Sequence, residues 1–123
     1  MNTTADWNTG AGQLRLYPFL PAIVGNYDTP GNAHGVAVAG DLAFVADATA
    51  GLQIINIANP ASPAIVGTYN TPGSACGIAV AGDLAFVADE LSGLQVVDIR
   101  NPASPTLVGA YNTPGTAYDV VVV

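Results

Sequence analysis

Apolar residues in this chain come in short runs, each closed by Gly, Pro, Asn or Asp, and within the runs small and β-branched residues alternate. Alternation of period two, broken every few residues by turn formers, predicts strands; the 3.6-residue spacing of an amphipathic helix is absent. From His34 the pattern predicts strand A over His34 to Ala39 (HGVAVA), strand B over Leu42 to Asp47 (LAFVAD) and strand C over Leu52 to Ile57 (LQIINI). Strand D follows over Ala64 to Tyr69 (AIVGTY). Gly40-Asp41 is a two-residue hairpin signal, with Gly supplying a positive φ at the first turn position. The Asn59-Pro60-Ala61-Ser62-Pro63 stretch cannot continue a ladder, because its two prolines lack N–H donors.

The whole pattern then repeats. Tyr27, Tyr69 and Tyr111 lie 42 residues apart, and residues 27–68 and 69–110 are identical in 28 of 42 columns. A period near 42 built from four antiparallel strands predicts an all-β fold of β-propeller blades. The predicted organisation has residues 1–26 as a partial blade, with strand C over Gln13 to Tyr17 and strand D over Ala22 to Tyr27. Its strand B would fall over Asn2 to Asp6, which is poor in apolar residues. Residues 27–68 and 69–110 are complete blades. Residues 111–123 bring the first strand of the next blade, Tyr118 to Val123. That is about three blades' worth. Propellers commonly have four to eight, so the expectation is a part of a larger propeller or a ring that several chains complete. An unpaired Val-rich strand offers its backbone to any passing edge, so self-association through open strand edges is expected.

"LAFVADATAGLQIINIANPASPAIVGTYNTPG" and "LAFVADELSGLQVVDIRNPASPTLVGAYNTPG" resemble LVIVD repeats, with strands, turns and prolines agreeing in tandem over roughly residues 20–123. Those repeats are propeller units of many bacterial and archaeal exported or cell-surface proteins. The resemblance implies a fold and an extracellular or cell-surface location; the family has no general activity to carry over.

Charge narrows the partners. The net charge is −7, with two Arg and no Lys, so no basic patch exists to neutralise phosphates and nucleic acid is not an expected partner. No apolar run approaches the ~18 residues of a membrane helix, so membrane insertion is not expected. Met1 to Gly10 lacks the basic start and apolar run of a signal peptide. Asn2-Thr3-Thr4 fits a glycosylation sequon, a short and common pattern.

Candidate chemistry is sparse, and no cofactor or metal is expected. Gly10-Ala11-Gly12 opens a G-x-G, but Arg15 stands where a third Gly is required and no helix follows. No G-x-S-x-G elbow occurs. His34 is the single histidine and Cys76 the single cysteine, which excludes a multi-His or Cys-rich metal site within one chain. Asp47 and Asp89 end strand B four residues before a Gly, where a carboxylate commonly closes an Asx turn on the following loop. Calcium would require a ligand spacing that is not present. Gln53 and Gln95, each among apolar residues, read as buried amides that hold the ladder. The repeated tyrosines read as packing between blades, hydroxyls toward the rim.

The two copies disagree in particular places. The A–B turn and the C–D loop Asn59 to Pro63 are identical in both. The D–A loop varies as Asn32/Ser74/Thr116 and His34/Cys76/Tyr118, and the B–C loop as Ala48-Thr49-Ala50 against Glu90-Leu91-Ser92. Alternating strand direction puts A–B and C–D on one face and D–A and B–C on the other. Binding residues concentrate on loops held by a rigid scaffold. The expected function is therefore a non-catalytic module binding a protein or glycan through the D–A/B–C face. The candidate residues are Asn32, His34, Ser74, Cys76, Glu90, Leu91, Thr116, Tyr118 and Asp119. Two alternatives stand beside it. One is a hydrolase or lyase at the propeller mouth using His34, Tyr118 and Asp119, the last an acid in the slot of Gly35 and Gly77. The other is a purely structural scaffold or adhesin segment.

Overall fold

The computed structural model describes residues 22–123, together with the backbone of two N-terminal strands, β1 (Thr3–Asn8) and β2 (Gln13–Pro18). The Gly10-Ala11-Gly12 stretch and Asn2 lie outside the described residues. β1 and β2 pair antiparallel, Thr3 opposite Pro18 and Asn8 opposite Gln13.

Each complete repeat folds as one four-stranded antiparallel sheet. The first holds β3 (Gly35–Ala39), β4 (Leu42–Ala46), β5 (Leu52–Asn56) and β6 (Ala64–Tyr69) in sequential order. The second holds β7 (Gly77–Ala81), β8 (Leu84–Ala88), β9 (Leu94–Asp98) and β10 (Thr106–Tyr111) in the same arrangement. There is no helix among the described residues. These are propeller blades, and their strands fall where the period-two runs place them.

Local chemistry fixes the register. Gly40 and Gly82 take φ of +59° and +58° between hydrogen-bonded strands, the conformation that lets a two-residue turn follow the strand twist. Near the outer edge, Ile54 faces Gly67 while Ile55 faces Ile65, so Val66 is the extra residue of a β-bulge; Val108 repeats it in the second blade.

The core lies between the two sheets. Phe44, Ala46, Leu52 and Ile54 project from the first blade onto Ile78, Ala85, Val87, Val97 and Ile99 of the second. Phe44, Leu52, Ile54, Val87 and Val97 are fully buried there, each worth roughly 1.5–3 kcal/mol relative to exposure. Both sheets are needed to make this core, because each blade supplies one wall.

Two predicted strands are not formed. Ala22 to Tyr27 carries nearly the letters of β6, yet residues 22–29 have no regular secondary structure. Tyr118 to Val123 is likewise without strand pairing; only Ala117, just before it, makes an isolated bridge. A strand exists through its ladder, and no neighbouring strand is hydrogen-bonded to either segment. Both keep their places against a neighbouring blade all the same, the first against the blade that follows it and the second against the blade that precedes it. A Cβ built on Gly25 would fall on the carbonyl oxygen of Pro60, as one on Gly67 would fall on that of Pro102. Asp119 and the carbonyl of Tyr118 lie against Gly77, as Gly77 and the carbonyl of Cys76 lie against Gly35.

Candidate functional site

The loops divide between two faces. On one, the amide of Ile57 at the start of the C–D loop donates to the A–B turn carbonyl of Asp41 at 2.8 Å, and Ile99 to Asp83 at 2.9 Å. Asn56 Oδ1 and Asp98 Oδ1 each accept the amide two residues on, from Ala58 and Arg100. Arg100 also grips Asp98 through its side chain, and these hydrogen bonds hold the Asp98 carboxyl below the usual range.

On the other face the D–A and B–C loops meet, and backbone ties them across blades. Ala48 and Ala75 exchange both amide–carbonyl hydrogen bonds at 2.9 Å, and Glu90 and Ala117 repeat the exchange one blade later. To reach this geometry Ala48 and Glu90 take φ of 54° and 51°, a left-handed conformation uncommon outside glycine. Asp47 and Asp89 are fully buried beneath these loops. Asp47 Oδ2 accepts the amide of Gly31 at 2.8 Å and its Oδ1 the hydroxyl of Thr29 at 2.7 Å. Asp89 Oδ2 accepts the amide of Gly73 at 2.8 Å, while its Oδ1 and the Thr71 hydroxyl are buried without a partner.

This corrects the Asx-turn expectation. The carboxylates reach back across the blade to the preceding Thr-Pro-Gly turn, and in the following loop the Ala50 N–H donates to the main-chain carbonyl of Asp47 instead. Sequence reasoning missed the clamp because its partners stand sixteen residues apart. The signal available was the joint recurrence of Thr-Pro-Gly and Asp at that spacing in both copies. Gln53 and Gln95 are both buried: Gln53 accepts from Thr68 on the neighbouring strand, as a ladder amide does, and donates to the Ala50 carbonyl, while Gln95 donates to the Ser92 carbonyl of the B–C loop.

The candidate residues distribute over this framework. Cys76 and Glu90 come together, the thiol donating to Glu90 Oε2 at 3.6 Å. Burial raises the Cys76 thiol above its ordinary range, the Glu90 hydrogen bond and charge push it further, and a hydrogen bond with Ser74 opposes them. Leu91 stands at a loop tip, 76% exposed, and Thr116, Tyr118 and Asp119 are exposed on the next unit. Asn32 and His34 are also exposed and line a cleft of about 690 Å³ beside the first blade. His34, Cys76 and Tyr118 hold the same place in successive units, so the Cys76 place lies between the other two. The side chain of His34 makes no hydrogen bond to Tyr118 or Asp119, whose Oδ1 accepts the amide of Val120. Among the described residues no three His, Cys, Asp or Glu side chains converge as metal ligands would.

A family model described as LVIVD repeat matches residues 30–71 and 72–113 in tandem. The chain belongs to the LVIVD repeat family. Each matched unit begins at the proline of a Thr-Pro-Gly turn, so an LVIVD unit opens on the element that Asp47 or Asp89 clamps. No curated protein matches the chain.

Proposed function

We propose that this LVIVD chain is a non-catalytic binding module of an exported or surface-attached protein, holding a protein or glycan partner on its D–A/B–C face. One observation carries the reading: side chains differ between blades where the backbone beneath them is the same. Positions 32/74/116 and 34/76/118 change chemistry, and Leu91 replaces Thr49, above a repeated framework of cross-blade main-chain pairs and buried carboxylate clamps. Preorganised loops lose little conformational entropy on binding, and an exposed Leu and Tyr offer the apolar contact that anchors partners.

The test selects binders from an array of defined glycans and from a displayed peptide library, then maps them by substitution. Leu91→Ser and Tyr118→Ser are expected to weaken selected binders at least tenfold, while Asn59→Ala and Asn101→Ala on the opposite face leave them unchanged. Binders that respond only to the second pair would overturn the proposal, as would an array and library that yield none.

A further inference from the structure

The wall of the cleft beside the first blade has an exact counterpart inside the molecule. Val36, Ala43, Val45, Ile55 and Ile57 line it. Forty-two residues on, the same columns are Ile78, Ala85, Val87, Val97 and Ile99, which a neighbouring sheet covers. The difference in cover lies at the edge of the wall: Val36 is 63% exposed where Ile78 is 8% exposed, and Ile57 is half-buried where Ile99 is buried, while Ala43, Val45 and Ile55 are already buried. An apolar sheet face of this kind is built to receive another sheet.

The rim of the cleft narrows the choice of occupant. Residues 22–27 run along the outer side of the first blade in the place a preceding strand D would take, Gly25 against Pro60. A complete foreign blade would bring its own strand D into that place. What fits is a smaller sheet lacking one, and the chain contains it: β1 and β2 form a two-stranded antiparallel sheet. β2 ends at Pro18, four residues before Ala22. Four residues span at most about 14 Å, so the hairpin is tethered at the cleft's edge.

We propose that the β1–β2 hairpin seats in this cleft, with β2 alongside residues 22–27, as the inner strands of a reduced preceding blade. The occupant comes from the same chain, and sheet faces rather than open strand edges make the contact. This inference stands independently of the partner-binding face.

Hydrogen exchange read by mass spectrometry on the full 123-residue chain tests it, alongside light scattering. Peptides covering 3–8, 13–18 and 22–27 should be protected at concentrations where the mass is that of one chain. Val36→Glu, and separately Ile57→Glu, both in the cleft wall, should speed their exchange at least tenfold while peptides covering 84–98 keep their rates. Val108→Glu, an equally exposed valine on the far blade, should change none of the three N-terminal peptides. Fast exchange over 3–27 in the unaltered chain overturns the proposal, as do two cleft variants without effect. Protection that appears only as the mass doubles gives the cleft to a second copy and overturns it too.

Discussion

Asp47 and Gly31 are joined across sixteen residues by a 2.8 Å hydrogen bond from the Gly31 amide to a fully buried carboxylate, and Asp89 and Gly73 repeat it at the same distance. The bond ties the end of strand B to the turn through which the chain enters the blade. Gly31 also has no room for a side chain, since a Cβ there would fall on the Asp47 carbonyl oxygen.

Asp47→Ala should destabilise the chain by about 2–3 kcal/mol in urea melts, because it leaves a buried amide and the Thr29 hydroxyl without their charged acceptor. The paired threonines should separate. Thr29→Val removes a made hydrogen bond and should cost about 1 kcal/mol, whereas Thr71→Val removes a buried hydroxyl that has no partner and should be neutral or stabilising. Equal costs for the two valine variants would contradict the difference between the blades.

Two classes of glycine should respond differently to alanine. At Gly40 and Gly82 the surroundings are open and only the positive φ resists, so Gly→Ala should cost about 1 kcal/mol. At Gly31 and Gly73 the methyl group meets main chain that cannot turn away, and the loss should exceed that of the hairpin glycines. Thermal melts of the four single variants check the order.

Ala48 offers the reverse case. Glycine in place of a residue held at φ of 54° relieves strain, so Ala48→Gly should stay within about 0.5 kcal/mol of the parent or exceed it. Ala46→Gly, two residues earlier at the buried end of β4, should cost about 1 kcal/mol or more. If both lose alike, the left-handed conformation is not strained.

The Cys76 thiol should react slowly with a disulfide reagent near pH 8, and its rate should rise with a midpoint above that of a free cysteine. Glu90→Gln removes the negative charge and should move the midpoint down. The sign for stability follows from the raised value: the folded state keeps the proton longer, so stability is full below the ordinary thiol pKa and falls as pH climbs through the folded one. Cys76→Ser should flatten that alkaline decline.

How much of this was legible depended on where each partner stood. The turn glycines, the prolines of the C–D loop and the alternating runs are local signals, and each of the eight strands of the two complete blades lies within a predicted run or one residue of it. AIVGNY and AIVGTY read alike, yet only the second pairs, because strand formation at Ala22 to Tyr27 depended on a neighbour's edge that its own letters do not contain. The loop face was legible only in part. Comparing repeats located the variable columns, but Ala48 and Glu90 vary in side chain while their main chains are committed to Ala75 and Ala117. Variation there marks a free side chain on a fixed backbone.

The glycine at position 67 has a consequence for the spacing of the blades. It sets main chain directly against the Pro102 carbonyl of the next blade, as Gly25 does against Pro60, with no side chain between them. Separation at that rim is therefore gauged by the thickness of a peptide unit, a length that does not change when other columns mutate. Each repeat thus carries its own spacer for the rim it shares with the next blade, and Gly67→Ala should open that rim by forcing the Pro102 carbonyl away.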